Sequence, residues 1–389
     1  MTAAVCTPTQ DRLPLAGLSA LALAGFLTVL TEALPAGLLP QMSTGLGVSQ
    51  PMVGQLITAY ALGSLLTAIP LTAATRSLRR RPLLITAIAG FLIVNAVTAL
   101  STAYAVTLLA RFGAGVFAGV VWSLLAGYAS RMAPAHMTGR AIAIVMVGTP
   151  LALTIGIPAG TWLGGLIGWR SVFLMMSAVS IVLIGWILWR VPDFEGEKQA
   201  ARRSLAQVFA IPGLQAVLAA TLGFVLAHNI LYTYVAPFLE RSGLAGRVDA
   251  ILLLFGATAL IGIWITGVQI DRHLKTLALT STIVFAATAL GLGLWSGSAA
   301  VVLGGVAVWG LAFGGAATFF QTASARTAGD AADVAQAMIV TVWNIAIAGG
   351  GLIGGLLLQY QGAASLPWSL LVLLVPTAVL IAMSRRGFR

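Results

Sequence analysis

The residues best equipped for chemistry in this 389-residue chain are the few ionisable side chains that fall inside long apolar runs. The stretch TEALPAGLLP, residues 31 to 40, holds Glu32 with no lysine, arginine or histidine close to it in sequence. A charge at membrane depth is expensive unless it is paired or neutralised, so such residues mark proton or ligand sites. Arg111 in LLARFGAGVFAGVVWS and His228 in LGFVLAHNILYTYVAPFLE stand in the same position. Glu32 is a proton-coupling candidate, because burial and a neighbouring arginine act on its proton affinity in opposite senses. Arg111 keeps its proton under ordinary conditions. It is a fixed charge, fit to tune Glu32 or to hold a polar or anionic group. His228 titrates near neutrality when unperturbed, which suits either proton coupling or a hydrogen bond to a hydroxylated ligand. The plainer alternatives are a structural Glu32–Arg111 ion pair and a histidine packed between helices.

The elements that must position these residues are membrane helices. The chain is 59% hydrophobic and 8% charged, against roughly 25% charged in a soluble domain, and its mean hydropathy is +1.00. Runs long enough to cross a bilayer fall at residues 14–40, 51–74, 83–102, 104–131, 141–167, 171–191, 213–239, 249–270, 276–296, 299–322, 338–360 and 364–383. The expected fold is an all-α integral membrane protein of twelve transmembrane helices. Most of the 21 basic residues, including Arg12, Arg79, Arg131, Lys198, Arg272, Arg326 and Arg386, fall on the side shared by the two termini, which marks that side as cytoplasmic.

The net charge of +11 invites a nucleic-acid reading. The basic residues form short clusters between apolar runs and no continuous basic face, so no nucleic-acid partner is expected. Cys6 is the single cysteine and the three histidines are scattered, so neither a metal site nor a cofactor is expected. GxSxG, HExxH and paired aspartates are absent from the spans, which argues against an intramembrane enzyme. The charged stretch VPDFEGEKQAARRSLAQVFAIPG reads as a linker, giving bundles at 1–191 and 213–389 joined by a cytoplasmic segment at 192–212. Sliding one half over the other by about 195 residues brings Arg131 onto Arg326, Gly156 onto Gly351 and Gly160 onto Gly355, the mark of a duplicated transporter. One further residue of shift places Glu32 on His228 and Thr75 on Asp271. A channel does not need such a duplication.

These motifs resemble the major facilitator superfamily, specifically its bacterial drug:proton antiporter branch, which includes sugar and arabinose efflux permeases. TEALPAGLLPQMSTGLGVSQPMVGQLITAYALG looks like that branch's opening, LLARFGAGVFAGVVWS its fourth-helix motif with Arg111, and VGTPLALTIGIPAGTWLGGLIGWRSVF its fifth-helix antiporter motif. The resemblance implies two pseudo-symmetric six-helix bundles and a monomer in the inner membrane. It also implies proton-coupled efflux of small polar or amphipathic molecules, such as sugars, nucleosides or antibiotics, by alternating access. Proton-coupled uptake is the alternative. The family's loop motif G-x-x-x-D-R-x-G-R-R is partial here. LTAATRSLRR keeps Arg76 and Arg79 but has Thr75 for the aspartate, whereas the second half keeps Asp271 and Arg272. The gating latch is therefore expected at Asp271. Gly156, Pro158 and Gly160 on the fifth helix add a small-residue groove that rocks during transport. Asn229, Tyr232 and Tyr234 beside His228, with Trp122, Trp309, Phe313, Gln321 and Asn344, are the candidate cavity lining.

Overall fold

In a hydrocarbon solvent every main-chain N–H and C=O must be satisfied within the segment, so runs this apolar have little choice but to become helices. The computed structural model describes residues 13–75, 77–196 and 205–388, and no strand occurs among them. Cys6, Arg12, Arg76 and Lys198 lie outside the described residues. The spanning helices are α1 (Leu15–Gly37), α2 (Gln50–Thr75), α3 (Arg80–Leu100), α4 (Tyr104–Met132), α5 (Thr138–Ile167) and α6 (Trp169–Arg190). The second set is α7 (Leu214–Thr233), α8 (248–272), α9 (274–294), α10 (Ala299–Ala328), α11 (Ala332–Gln361) and α12 (Leu366–Met383). Helices α8 and α9 run as one 47-residue rod broken at His273, whose φ of −131° and ψ of 31° are not helical. Divided there, the helices of the described residues make twelve passes. Gly168, at φ 84° and ψ 144°, joins α5 to α6 through a conformation that a side-chain-bearing residue rarely adopts.

The two sets pack in the same pattern. Helix α2 lies on α4 and α8 lies on α10, while α3 packs on α6 and α9 on α12. Bare glycine backbones make these crossings close. A Cβ on Gly115 would strike the Tyr60 carbonyl and the Ser64 N–H, and one on Gly63 would strike the Phe112 carbonyl. In the second set Gly314 meets the Ala259 main chain and Gly262 the Leu311 carbonyl. The glycine face of α5 receives α1, with Gly148 on the Ala22 main chain, Gly156 on Phe26, Gly160 on Leu34 and Gly164 on Leu38. The glycines of α11 receive α7 likewise, Gly350 against Asn229 and Gly354 against Tyr234.

Because the α2–α4 clash is with main chain, relaxation cannot relieve it. Gly115→Leu is expected to cost about 1–3 kcal/mol or more and to collapse the yield of folded protein on size-exclusion chromatography. Gly113→Ala should be silent, since its nearest neighbour is the Val94 side chain at 3.4 Å.

Within α5 the residues Ala152–Gly156 form one π-helical turn between Pro150 and Pro158. Such turns disrupt the regular ladder and recur at functional places in helices. Here the turn presents Thr154, whose hydroxyl donates to the Gly256 carbonyl of α8 at 3.1 Å. The two sets also meet where α2 crosses α11: Gln55 Nε2 donates to the Gly351 carbonyl at 3.0 Å and Thr58 Oγ1 to that of Ala348 at 3.2 Å.

Candidate functional site

A polar cluster lies within the first six helices, toward the Gly37, Leu100 and Tyr104 ends of α1, α3 and α4. Arg111 of α4 is fully buried. Its Nη2 donates to the main-chain carbonyl of Glu32 at 3.1 Å, while Nε and Nη1 have no hydrogen-bond partner. The guanidinium carbon lies 5.1 Å from the Tyr60 ring centroid, a cation–π distance. Tyr60 in turn donates to the Thr28 carbonyl at 3.1 Å, and Asn95 Nδ2 donates to Thr31 Oγ1 at 3.2 Å. Helices α1, α2 and α4 therefore meet at Arg111, and Asn95 ties α3 to α1 one residue before Glu32. The half-buried Glu32 carboxylate accepts no bond from the arginine, so its position is not fixed by an ion pair. Tyr232 of α7 lies within electrostatic reach of that carboxylate.

His228 lies among rings. Phe313 stacks on it at 3.5 Å between centroids, and Tyr232, Trp309 and Phe255 surround it at 5.0, 5.3 and 5.6 Å. Asn229 and Asn344 turn back on their own helices, donating to the Val225 and Val340 carbonyls at 2.8 and 2.9 Å. Trp122 is half-buried against the core, and Gln321 is exposed. Tyr234, expected beside a cavity, is wholly buried in the seal between the two sets. Its hydroxyl donates to the Gly351 carbonyl of α11 at 2.6 Å and lies 3.3 Å from the Pro51 carbonyl of α2, across the two sets. The reason is local: two residues beyond Tyr232, Tyr234 falls on the opposite side of the helix from His228 and Tyr232, and α7 ends there, with φ −114° and ψ 30° at Tyr234.

The expected latch residues divide differently from the motif reading. Thr75 only caps its own helix through the Leu71 carbonyl, and the carboxylate comes from after α6. Asp193 accepts from Arg79 Nε at 2.6 Å and from the Arg81 N–H at 3.0 Å. Tyr128 donates to the Pro192 carbonyl at 2.9 Å, and Arg131 to that of Glu195 at 2.8 Å. In the second set Asp271 pairs with Arg326 at 3.0 Å, both partners solvated, and Arg272 is exposed. Each bridge thus closes within its own set of helices.

Partial burial pushes the Asp193 carboxyl up. The Arg81 N–H and the Arg79 guanidinium outweigh this and hold it below its usual value. A depressed folded-state value means that the bridge stabilises above the unfolded pKa of about 3.9 and is lost as pH falls through the folded value. The melting-temperature gap between wild type and Asp193→Asn should accordingly be full near neutrality and close below about pH 4.

Twelve apolar passes in two packed sets, with a buried polar cluster inside the first, define a membrane transporter of small solutes. The chain belongs to the Major Facilitator Superfamily, whose family model it matches over residues 21–351. It is 31% identical over 377 residues to the transcription regulatory protein OpdE of Pseudomonas aeruginosa strain PAO1, covering 95% of this chain and 94% of that one. Its fold is similar to that of a bacterial homolog of the human lysosomal transporter Spinster. In the inward-facing, occupied conformation the TM-score is 0.79 at 16% identity, over 95% of this chain and 96% of that one. In the inward-facing, unoccupied conformation it is 0.71 at 16% identity, over 96% and 97%.

Proposed function

We propose that this transporter is a proton-coupled efflux antiporter of the bacterial inner membrane, exporting small polar or amphipathic molecules by alternating access. The halves are 1–191 and 213–389, joined by a cytoplasmic linker at 192–212, and the molecule works as a monomer. The observation that carries the reading is the buried Arg111 guanidinium, which meets the Glu32 main chain and leaves its carboxylate untied. An unpaired carboxylate beside a permanent cation can hold or release a proton as its surroundings change. Basic residues assign the end bearing Pro51, Tyr234 and Gly351 to the outside, so the seal there supports a molecule open to the cytoplasm.

From that state Glu32 gives its proton to the cytoplasm and solute binds. The halves then rock, breaking the Gln55, Thr58, Tyr234 and Thr154 contacts. A proton from outside next reaches Glu32 and weakens the hold on solute, which leaves. The name of OpdE refers to transcription, and moving an inducing solute across a membrane would change transcription without any nucleic-acid contact. Purified protein in liposomes tests the proposal. Saturable, solute-dependent proton movement is expected, and unsaturable downhill flux with no proton movement would contradict it.

A further inference from the structure

The ring cluster of the second half lies outside the hydrogen bonds that hold Arg111 beside Glu32. Its composition is unusual for packing. The centroids of His228, Tyr232 and Trp309 form a triangle with sides of 5.0, 5.3 and 6.2 Å. Each corner carries a buried polar atom with no hydrogen-bond partner: His228 Nδ1, Tyr232 Oη and Trp309 Nε1. These residues are 6%, 5% and 1% exposed. Buried polar atoms are paired in the great majority of cases, and leaving one unpaired is costly. Phenylalanine would fill such positions without that cost, so packing does not account for three of them in one triangle. The described charged residues of α8 and α10, Asp249, Asp271, Arg272 and Arg326, lie near helix ends. The box itself holds no carboxylate, lysine or arginine. Its rim is formed by Phe313 and Trp343, both half-buried, with centroids 6.3 Å apart.

We propose that this box is the specificity site of the transport cycle and takes an uncharged planar heteroaromatic group with hydrogen-bonding edges, such as a nucleobase. The proposal rests on the transport reading above. Ring faces favour a flat partner in offset or edge-to-face contact. An indole N–H can only donate, whereas a phenol and a neutral imidazole can each donate or accept. The ligand must therefore present at least one in-plane acceptor beside its ring face. A polyol lacks the face and an alkyl chain lacks the edge. Sites with buried polar groups reject ligands that leave those groups unpaired. Entry from the Phe313–Trp343 rim displaces the Phe313 ring from His228 and exposes the stacking surface to the ligand.

Equilibrium dialysis of the purified full chain against radiolabelled uridine, adenosine and glucose tests this, with Tyr232→Phe, which keeps the ring and loses only the hydroxyl, and Trp309→Phe, which loses the indole N–H together with part of the ring. At least one nucleoside is expected to bind saturably, with affinity reduced about tenfold in each variant, glucose is expected not to bind, and thermal melting should not fall in Tyr232→Phe. Failure of both nucleosides to bind, nucleoside binding indifferent to both variants, or glucose binding with the same losses would overturn the box. Solute-driven proton movement in liposomes is scored separately. Proton movement without nucleoside binding rejects the box and keeps the transport reading. Variant-sensitive nucleoside binding without proton movement does the reverse.

Discussion

Glu32→Gln is expected to reduce uphill transport driven by a pH gradient to the level of empty liposomes, while solute-for-solute counterflow continues. Glutamine keeps the size and hydrogen-bonding capacity of the side chain but cannot titrate. The substitution should leave the site assembled, because Arg111 Nη2 is held by the residue-32 carbonyl at 3.1 Å and not by the carboxylate. Exchange of solute for solute needs no net proton release, whereas accumulation against a gradient does. Radiolabelled uptake and counterflow on the same vesicles measure both. Wild-type accumulation by Glu32→Gln would make Glu32 a structural neighbour of Arg111 and move the coupling site elsewhere.

The second large effect is expected where the two sets of helices touch. A Cβ on Gly256 would run into the main chain of Leu153 and Thr154, and one on Gly351 would press on Thr58 and the Gly54 carbonyl. Gly256→Val and Gly351→Val should therefore penalise the sealed arrangement and no other. An overpacking cost of about 1–3 kcal/mol shifts a two-state equilibrium by about 5- to 150-fold. Transport should fall nearly to background, since a cycle that cannot seal cannot turn over. A cysteine at Thr58 in a Cys6→Ala background, protected at 9% exposure, should become labelled by impermeant maleimide from outside. Continued protection together with normal transport would contradict the assignment of these contacts as the gate.

The twelve passes were legible because lipid leaves an apolar run of this length almost no alternative to helix. The link between α8 and α9 was less so, since a single non-helical residue at His273 does the work of a loop. Glu32, Arg111 and His228 could be picked out by charge alone. Tyr60, Thr31 and Asn95 could not, because neutral polar residues in a span look ordinary until tertiary packing brings α1, α2 and α4 together at Arg111 and ties α3 to α1. Asp193 escaped the motif reading for a different reason. The motif places its carboxylate near position 75, whereas this chain supplies it 114 residues from Arg79. Phe255, far from His228 in sequence, joins the ring cluster only through the α7–α8–α10 packing. Tyr234 misled by proximity, since sharing a stretch with His228 does not mean sharing its side of the helix, and α7 ends before Tyr234.

Isothermal titration of a transported solute in buffers of differing ionisation enthalpy is the most direct test of Glu32 as the coupling group, because it counts protons exchanged on binding. The account requires wild-type protein to release protons as solute binds, and Glu32→Gln to bind the same solute with that release abolished. Equal proton release by the two proteins would show that Glu32 does not carry the coupled proton.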